Sequence, residues 1–161
     1  MQAIVCVSRD WGIGKDGALL FRLSADLRRF RALTTGKTVI YGYKTLLTFP
    51  HEKPLPKRRN IILTRRDITV EGAEIAHSVE EAAALAAGDD AVVIGGASVY
   101  EQMLPLCSRV FVTRVDAQTE ADSFFPNLDR LGDWEVESWS VPQFEGGYCF
   151  DYADYVRRAE R

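Results

Sequence analysis

The segment Val92-Val93-Ile94-Gly95-Gly96-Ala97-Ser98-Val99-Tyr100 runs from an apolar stretch through two glycines into residues with a helical pattern. A short apolar run of this kind predicts a strand covered on both faces, as in a parallel sheet flanked by helices. Paired glycines let a diphosphate approach the backbone closely where the helix begins. The spacing is neither that of a P-loop nor that of the usual dinucleotide fingerprint, so an ordinary strand-to-helix turn remains an alternative.

The segment Val39-Ile40-Tyr41-Gly42-Tyr43-Lys44-Thr45 repeats this organisation earlier in the chain. A buried strand ends at a glycine and meets a possible helix start that carries a lysine and a threonine. Free backbone N–H groups at such a start can hold a phosphate. Two turns of this kind in one chain favour a ligand that carries phosphate groups.

Short β-branched runs alternate with helical stretches over the rest of the chain, which favours an α/β domain with a mostly parallel sheet. Ser78 and Glu81 are expected to satisfy each other's free N–H groups at the start of one helix. No repeat or linker divides the chain, so we predict one domain over residues 1–161. We predict strands over residues 3–8, 38–41, 60–63, 91–94 and 109–115, helices over residues 24–33, 78–87 and 97–104, and a closing antiparallel hairpin from residues 134–141 and 148–156 around the connection 142–147.

The composition argues against several classes of protein. The 161 residues are 47% hydrophobic and 27% charged, and their net charge of -3 gives no broad basic field for a nucleic acid. No stretch reaches the roughly 20 apolar residues that cross a bilayer, and no charged leader precedes an apolar run, so we expect a cytoplasmic protein. Three widely spaced cysteines and only two histidines give little material for a metal site. Nothing marks an obligate interface, and we expect a monomer.

The segment Leu23-Ser24-Ala25-Asp26-Leu27-Arg28-Arg29-Phe30 places an acid in the first turn of a predicted helix, after Ser24 as the expected cap. Helical spacing puts Asp26 and Phe30 on one face. Because Leu27 and Phe30 are apolar, we expect this turn to face inward, where a carboxylate is a candidate for a perturbed pKa and a ligand contact. An acid that merely complements the helix dipole is the alternative.

Two further segments are candidates for ligand contact. The glycine-rich residues 11–18 leave the first strand as a loop, which can close over a ligand or simply connect two elements at the surface. Residues 54–66 flank a strand with basic side chains at both ends. Guanidinium groups there can bind a carboxylate or a phosphate at two points, although charges at strand ends are usually only solvated.

In this order and spacing, the segments resemble the dihydrofolate reductase family over essentially the whole chain. The resemblance implies an α/β fold with an eight-stranded, mostly parallel sheet, flanking helices and a C-terminal antiparallel hairpin. It also implies an NADPH-dependent oxidoreductase of one-carbon metabolism, an antifolate target that reduces 7,8-dihydrofolate to 5,6,7,8-tetrahydrofolate. The motifs that carry it are Ile13-Gly14, Ala25-Asp26-Leu27 with Phe30, Pro54-Leu55-Pro56 with Arg58-Arg59-Asn60-Ile61-Ile62-Leu63, Ile94-Gly95-Gly96 with Val99-Tyr100, Phe111-Val112-Thr113 and Tyr148-Cys149-Phe150.

The resemblance also implies a role for each candidate residue, with no metal. Asp26, supported by Thr113, would bind the pterin amino group and ring nitrogen, and its charge would favour protonation of the ring by water. Arg58, assisted by Arg31, would bind the carboxylate of the glutamate tail. The other implied substrate contacts are Ile4, Val5, Leu27, Phe30, Leu55, Ile94 and Tyr100. The implied NADPH contacts are Cys6, Ile13, Gly14, Gly42, Tyr43, Lys44, Thr45, Leu63, Thr64, Arg65, Gly95, Gly96, Ala97, Ser98 and Val99, with a cis peptide bond between the paired glycines.

The sequence departs from the family pattern at several places near the implied ligands, and two of them bear on ligand preference. Tyr43 stands where the family usually carries an arginine for the cofactor's 2′-phosphate, so we expect at most a weakened preference for NADPH over NADH. Leu20-Phe21 replaces a proline-tryptophan pair beside the pterin. Phenylalanine lacks the indole N–H, and we therefore expect a changed affinity for diaminopyrimidine antifolates.

Other functions remain open from the residues alone. A pyrimidine reductase of riboflavin synthesis shares the scaffold, but Asp26, Phe30 and Arg58 suit a pterin with a carboxylate tail. A nucleotide-binding module without catalysis is a second alternative, which cofactor binding without turnover would reveal. A serine hydrolase is poorly supported, because Ser98 lies in no nucleophile-elbow motif.

Overall fold

Strands and four helices organise residues 1–159, which a computed structural model describes. The domain predicted from the sequence extends to Glu160 and Arg161, which lie outside the described residues. The strands are β1 (Gln2–Val7), β2 (Gly12–Lys15), β3 (Ala18–Leu19), β4 (Thr38–Gly42), β5 (Arg59–Leu63), β6 (Ala73–Ala76), β7 (Ala91–Gly95), β8 (Arg109–Val115), β9 (Ser123–Phe124), β10 (Trp134–Trp139), β11 (Gln143–Glu145) and β12 (Tyr148–Arg157). The helices are α1 (Ser24–Thr34), α2 (Tyr43–Leu46), α3 (Val79–Leu85) and α4 (Ala97–Met103), with 3₁₀ turns at Pro50–Glu52 and Leu104–Leu106.

The main sheet places eight strands side by side in the order β10-β12-β8-β1-β7-β4-β5-β6. The six strands from β8 to β6 in this order all run parallel to one another. β12 is antiparallel to both β8 and β10. This arrangement confirms the predicted mostly parallel sheet and its C-terminal hairpin. The short strand β11 also pairs with β12, so the expected connection 142–147 contains a strand.

Apolar side chains fill both faces of the central strands. Val39, Ile40, Val92 and Val93 are all fully buried, although neighbouring residues point to opposite faces. Parallel strands covered by helices on both sides have no solvated face, which is why these segments read as continuous apolar runs. The five strands predicted in this region agree with the structure to within one residue at each end.

The expectation of a loop over residues 11–18 is wrong, because this segment contains β2 and the first residue of β3. Together with β9 they form a second sheet in the order β3-β2-β9. A Cβ atom on Gly12 would lie 2.7 Å from the Cβ of Ala121, so glycine permits the close approach of the two segments. The edge strand β6 was not predicted either, since it is short and three of its four residues are half-exposed.

The helix starts differ in part from expectation. Ser78 Oγ accepts a hydrogen bond from the Glu81 N–H at 3.0 Å, which confirms one half of the predicted capping box. The other half is wrong, because the Glu81 carboxylate reaches one residue further back and accepts from the His77 N–H at 2.9 Å. Ser24 does not cap α1; it is the first helical residue, and Leu23 at the cap position offers no side-chain hydrogen bond. Within residues 1–159, the helices are too short or too polar to span a membrane.

The topology brings both glycine turns to one edge of the sheet. β7 lies between β1 and β4, and Gly95 at the end of β7 is in register with Tyr41 near the end of β4. α2 begins directly after Gly42, and α4 begins directly after Gly96. Open α/β sheets bind their ligands at this carboxyl edge.

Candidate active site

Asp26 lies in the first turn of α1, where its half-buried side chain meets Thr113 of β8. The Thr113 hydroxyl donates a hydrogen bond to Asp26 Oδ1 at 2.5 Å. Thr113 is only 1% exposed, and it lies in register beside Cys6 of β1. The acid is therefore held where β1 and β8 run side by side.

The surroundings of Asp26 favour its protonated form more than water does. Burial is the largest influence and raises the pKa of Asp26 above its ordinary value. The hydrogen bond from Thr113 and the charge of Arg29 oppose this shift, since both favour the carboxylate. Burial, and after it the nearby Asp26 charge, raises the pKa of the Cys6 thiol, so the thiol stays protonated beside the acid.

Glu145 was not selected from the sequence, yet it contacts the start of α1. Its carboxylate oxygens accept hydrogen bonds from the Ser24 N–H at 2.5 Å and the Ala25 N–H at 3.0 Å. The contact joins residues 121 positions apart in the case of Ser24. No local pattern could have revealed it.

The apolar residues implied as substrate contacts come from several elements. Ile4 and Val5 are buried in β1. Leu55 and Ile94 are half-buried, and both pack against the core cluster that includes Tyr41. The structure therefore brings Leu55 and Ile94 onto one cluster, although they are far apart in the sequence.

Two apolar residues of α1 differ in their surroundings. Phe30 is half-buried, as is Asp26 one helical turn before it. Leu27 is 49% exposed, so the expectation that it faces inward is wrong. One step along a helix turns the side chain by about 100°, which carries Leu27 away from the direction of Asp26.

Arg31 lies on α1, and Arg58 lies near it at the end of the connection that leads into β5. Arg58 donates hydrogen bonds from Nη1 to Thr34 Oγ1 at 3.1 Å and from Nε to the Pro56 carbonyl at 3.0 Å. Burial and then the charge of Arg31 lower the pKa of Arg58 below its ordinary value. Neither guanidinium forms an ion pair with a carboxylate of residues 1–159. A ligand carboxylate would relieve this repulsion between like charges.

The paired glycines form an open cradle at the end of β7. A Cβ atom would lie 3.4 Å from Thr45 Oγ1 if placed on Gly95 and 3.5 Å from it if placed on Gly96. The absence of these side chains leaves space beside the threonine hydroxyl, and the bond between the glycines is cis, as the resemblance implies. Tyr100 of α4 donates a hydrogen bond to the Ile4 carbonyl at 2.6 Å and so joins α4 to β1. Backbone without side chains next to a hydroxyl suits a diphosphate.

The other implied cofactor contacts vary in exposure. Ile13 packs against the main core, and Gly14 is in register with Ser123 of β9. Arg66 was not selected from the sequence, but its guanidinium carbon lies 4.8 Å from the centroid of the Tyr43 ring. Leu63 and Val99 are buried, Gly42, Tyr43, Thr64 and Ala97 are half-buried, and Lys44, Arg65 and Ser98 are exposed.

The chain as a whole has counterparts among described proteins. The sequence profile described as dihydrofolate reductase matches residues 1–157. The chain belongs to the dihydrofolate reductase family. This membership decides between the two reductase families that the sequence alone left open.

Individual dihydrofolate reductases match over most of the chain. The dihydrofolate reductase of Neisseria meningitidis is 41% identical over 147 residues, which cover 90% of each chain. The type 3 dihydrofolate reductase of Salmonella typhimurium is 39% identical over 132 residues, or 81% of this chain and 80% of that one. A solved structure of the Enterococcus faecalis dihydrofolate reductase, complexed with NADP(H) and RAB-propyl, has a TM-score of 0.87 and 34% identity, and covers 98% of this chain and 96% of that one.

Phe21 marks a local departure from the dihydrofolate reductase pattern. Its ring is buried and meets Tyr148 edge to face, with centroids 5.1 Å apart. The side chain at this position therefore packs against the C-terminal hairpin. An altered antifolate affinity stays a prediction.

Proposed function

We propose that the chain reduces 7,8-dihydrofolate to 5,6,7,8-tetrahydrofolate and that Asp26 promotes protonation of the pterin ring. As a member of the dihydrofolate reductase family, the chain is an oxidoreductase that uses NADPH. The observation that carries the role of Asp26 is its 2.5 Å contact with Thr113, in a site where burial raises the pKa of the acid.

The properties of Asp26 match what pterin protonation requires. A carboxylate can accept hydrogen bonds at two points from an amino group and an adjacent ring N–H. Its negative charge, partly shielded from water, stabilises the positive charge that develops as the ring takes up a proton. Thr113 fixes the orientation of the carboxylate through Oδ1. Water delivers the proton in this proposal, because Asp26 acts through its charge.

The residues at the glycine turns fit NADPH. Gly95, Gly96 and Thr45 would hold the diphosphate, since the glycines leave a cradle that side chains would fill. Lys44 and Arg65 would lie toward the adenosine end. When bound, NADPH supplies the hydride.

Arg58 supports a substrate that ends in a carboxylate. Its bonds to Thr34 and Pro56 hold the guanidinium in place, so little side-chain freedom is lost when a ligand binds. Arg31 adds a second positive charge nearby. We propose that the chain acts as a monomer, and the net charge of -3 supports a function without nucleic acid.

The substitution Asp26→Asn tests the proposal. It keeps the shape and one acceptor for Thr113 but removes the charge. We expect the rate of NADPH oxidation with dihydrofolate to fall by about a hundredfold or more at neutral pH, with partial rescue in acid, where protons are plentiful. Loss of NADPH absorbance measures the rate.

Asp90→Asn is the matched control for this experiment. Asp90 is exposed and precedes β7, at the edge of the sheet opposite Gly95. The same chemical change there should leave the rate unaltered. An Asp26→Asn enzyme as fast as the parent at neutral pH would remove Asp26 from the mechanism, and a parent that binds NADPH without oxidising it would contradict the activity itself.

A further inference from the structure

The first turn of α1 has no cap from its own sequence neighbourhood. Leu23 occupies the cap position with extended backbone angles and no side-chain hydrogen bond. Free N–H groups at a helix start need partners. Two of them, from Ser24 and Ala25, find both oxygens of Glu145, at 2.5 Å and 3.0 Å. A residue of the C-terminal hairpin therefore caps the helix that carries Asp26.

The hairpin holds Glu145 in a defined place. Glu145 ends β11 and is in register with Tyr148 at the start of β12. Gly146 and Gly147 connect them with φ angles of 59° and 82°, which are the positive values that a tight type I′ turn requires. The turn is short, so it fixes the backbone from which the Glu145 carboxylate projects toward α1.

Apolar contacts join the same hairpin to the segment before α1. The ring of Tyr148 meets Phe21 edge to face. Leu23 and Phe150 are buried in one cluster, and Ala25 packs against it. The start of α1 and the base of the hairpin thus form one packed unit, with the Glu145 bonds at its edge.

We propose that Glu145 is a positioning residue for Asp26, which caps the first turn of α1 and so holds the Asp26 carboxylate against Thr113. This inference rests on the proposed function of Asp26. The Ala25 N–H bound by Glu145 belongs to the residue immediately before Asp26, so the cap fixes the backbone from which the acid projects. Without the cap, the first turn would fray and the acid would meet more water.

The negative charge of Glu145 also helps to raise the pKa of Asp26. The N–H groups of Ala25 and Ser24 lower the pKa of Glu145, which therefore stays ionised at neutral pH. Its negative charge disfavours a second one nearby and contributes to the raised pKa of Asp26. The other charged or titratable groups that act on Asp26 or Glu145 are Arg28 and Arg29 of α1, Cys6 of β1, Tyr100 of α4 and Tyr152 of β12.

Removing Glu145 has three effects, and each of them lowers the pKa of Asp26. Loss of its charge, exposure of free N–H groups at the helix start and greater hydration of Asp26 each favour the carboxylate form. The pKa of Asp26 should therefore fall toward its ordinary value. The proton uptake of the pterin, which responds to the same charges, should shift in the same direction.

The test compares Glu145→Gln and Glu145→Ala with the parent, and Glu135→Gln serves as the matched control. Glu135 is an exposed glutamate on β10 of the same hairpin, where it pairs through its backbone with Val156. The first measurement is a pH titration of the Asp26 side-chain carboxyl by carbon NMR in the ligand-free chain. We expect both Glu145 variants to titrate at lower pH than the parent, and Glu135→Gln to match the parent.

The second measurement is the pH profile of dihydrofolate reduction. We expect the high-pH limb of the Glu145→Gln profile to move to lower pH, and its kcat at neutral pH to be about threefold lower. An unchanged Asp26 titration in Glu145→Gln would overturn the proposal, even if Glu145→Ala lowered the Tm. Should Glu145→Ala fail to fold, Glu145→Gln still decides. A parent that shows the Asp26 titration but no reduction of dihydrofolate would defeat the proposed function and leave the NMR result on Glu145 standing.

Discussion

Arg66 and Tyr43 form a cation–π pair at the edge of the implied cofactor site. The guanidinium carbon lies 4.8 Å from the ring centroid, a distance at which the ring face attracts a cation. The family resemblance puts Tyr43 at a position where an arginine for the 2′-phosphate is expected. A guanidinium stacked on a ring keeps its N–H donors at the rim free. We therefore expect Arg66 to supply the positive charge that position 43 lacks.

The substitution Arg66→Gln should weaken the binding of NADPH but not the binding of NADH. We expect the Kd for NADPH to rise about tenfold, because a charge-assisted contact to the 2′-phosphate is lost, while the Kd for NADH stays unchanged. Fluorescence titration of the protein with each cofactor measures both constants. Arg130→Gln is the control, since Arg130 is exposed and has no side-chain hydrogen bond within residues 1–159. Equal weakening of both cofactors by Arg66→Gln would contradict this role.

At the scale of elements, Asn60 ties β5 to the connection that carries Leu55 and Arg58. Its Oδ1 accepts hydrogen bonds from the Tyr41 hydroxyl at 2.7 Å and the Leu55 N–H at 2.9 Å. Its Nδ2 donates to the Leu55 carbonyl at 2.9 Å and the Arg58 carbonyl at 3.0 Å. Asn60 is 2% exposed and Tyr41 is fully buried, so removal of the amide would leave the Tyr41 hydroxyl without a partner away from water and would release the half-buried backbone of Leu55 and Arg58.

The substitution Asn60→Leu should affect both stability and substrate binding. We expect the free energy of unfolding to fall by about 2–4 kcal/mol, because buried partners are left unsatisfied. The KM for dihydrofolate should rise with little change in kcat, since Leu55 and Arg58 lose their support and Asp26 does not. Urea denaturation and steady-state kinetics measure these effects. Tyr41→Phe, which removes one of the four bonds, should change KM much less, and an unchanged KM in Asn60→Leu would show that the network serves stability alone.

The sequence predicted the elements that can be recognised from the pattern of their own residues. β4, β5 and β7 could be recognised because both of their faces are buried, which gives an apolar run in any fold of this class. β2 and β3 were missed although residues 16 and 17 close a tight turn between them, because both strands are very short and β2 also pairs with β9, far along the chain.

The same distinction holds in the candidate site. Asp26 stood out by its place in a helix with apolar neighbours, and the family resemblance joined it to Thr113. Neither signal pointed to Glu145 or to the stacking of Arg66, since tertiary structure alone creates those contacts.

At the scale of the whole molecule, some ionised carboxylates stabilise the folded state, whereas the ionised carboxylate of Asp26 destabilises it. Hydrogen bonds from Arg59 lower the pKa of Glu74, and hydrogen bonds from Thr38 and then Arg59 lower the pKa of Asp89. Groups with lowered pKa stabilise the folded state above their ordinary pKa, and this contribution is lost as the pH falls through the folded value. Asp26 has a raised pKa and behaves in the opposite way.

The raised pKa of Asp26 leads to a prediction about how stability depends on pH. Between its ordinary pKa and its raised folded value, the folded state binds more protons than the unfolded state, so stability falls as the pH rises through that interval. At neutral pH the folded chain therefore bears the cost of a half-buried charge. The variant Asp26→Asn should have a higher free energy of unfolding than the parent at neutral pH, on the order of 1 kcal/mol, as is common when a functional charge is removed. Below pH ~3, where the parent acid is largely neutral in both states, the difference should vanish.

Urea denaturation of parent and variant at neutral and acid pH measures this difference. Asp67→Asn is the control, because Asp67 is exposed and forms no side-chain hydrogen bond within residues 1–159; its stability relative to the parent should not depend on pH in this way. An Asp26→Asn chain less stable than the parent at neutral pH would mean that Thr113 and Arg29 outweigh burial and that the acid stabilises the fold. If the variant is instead more stable and also inactive, the two results together show that the Asp26 carboxylate is needed for activity and lowers the stability of the fold.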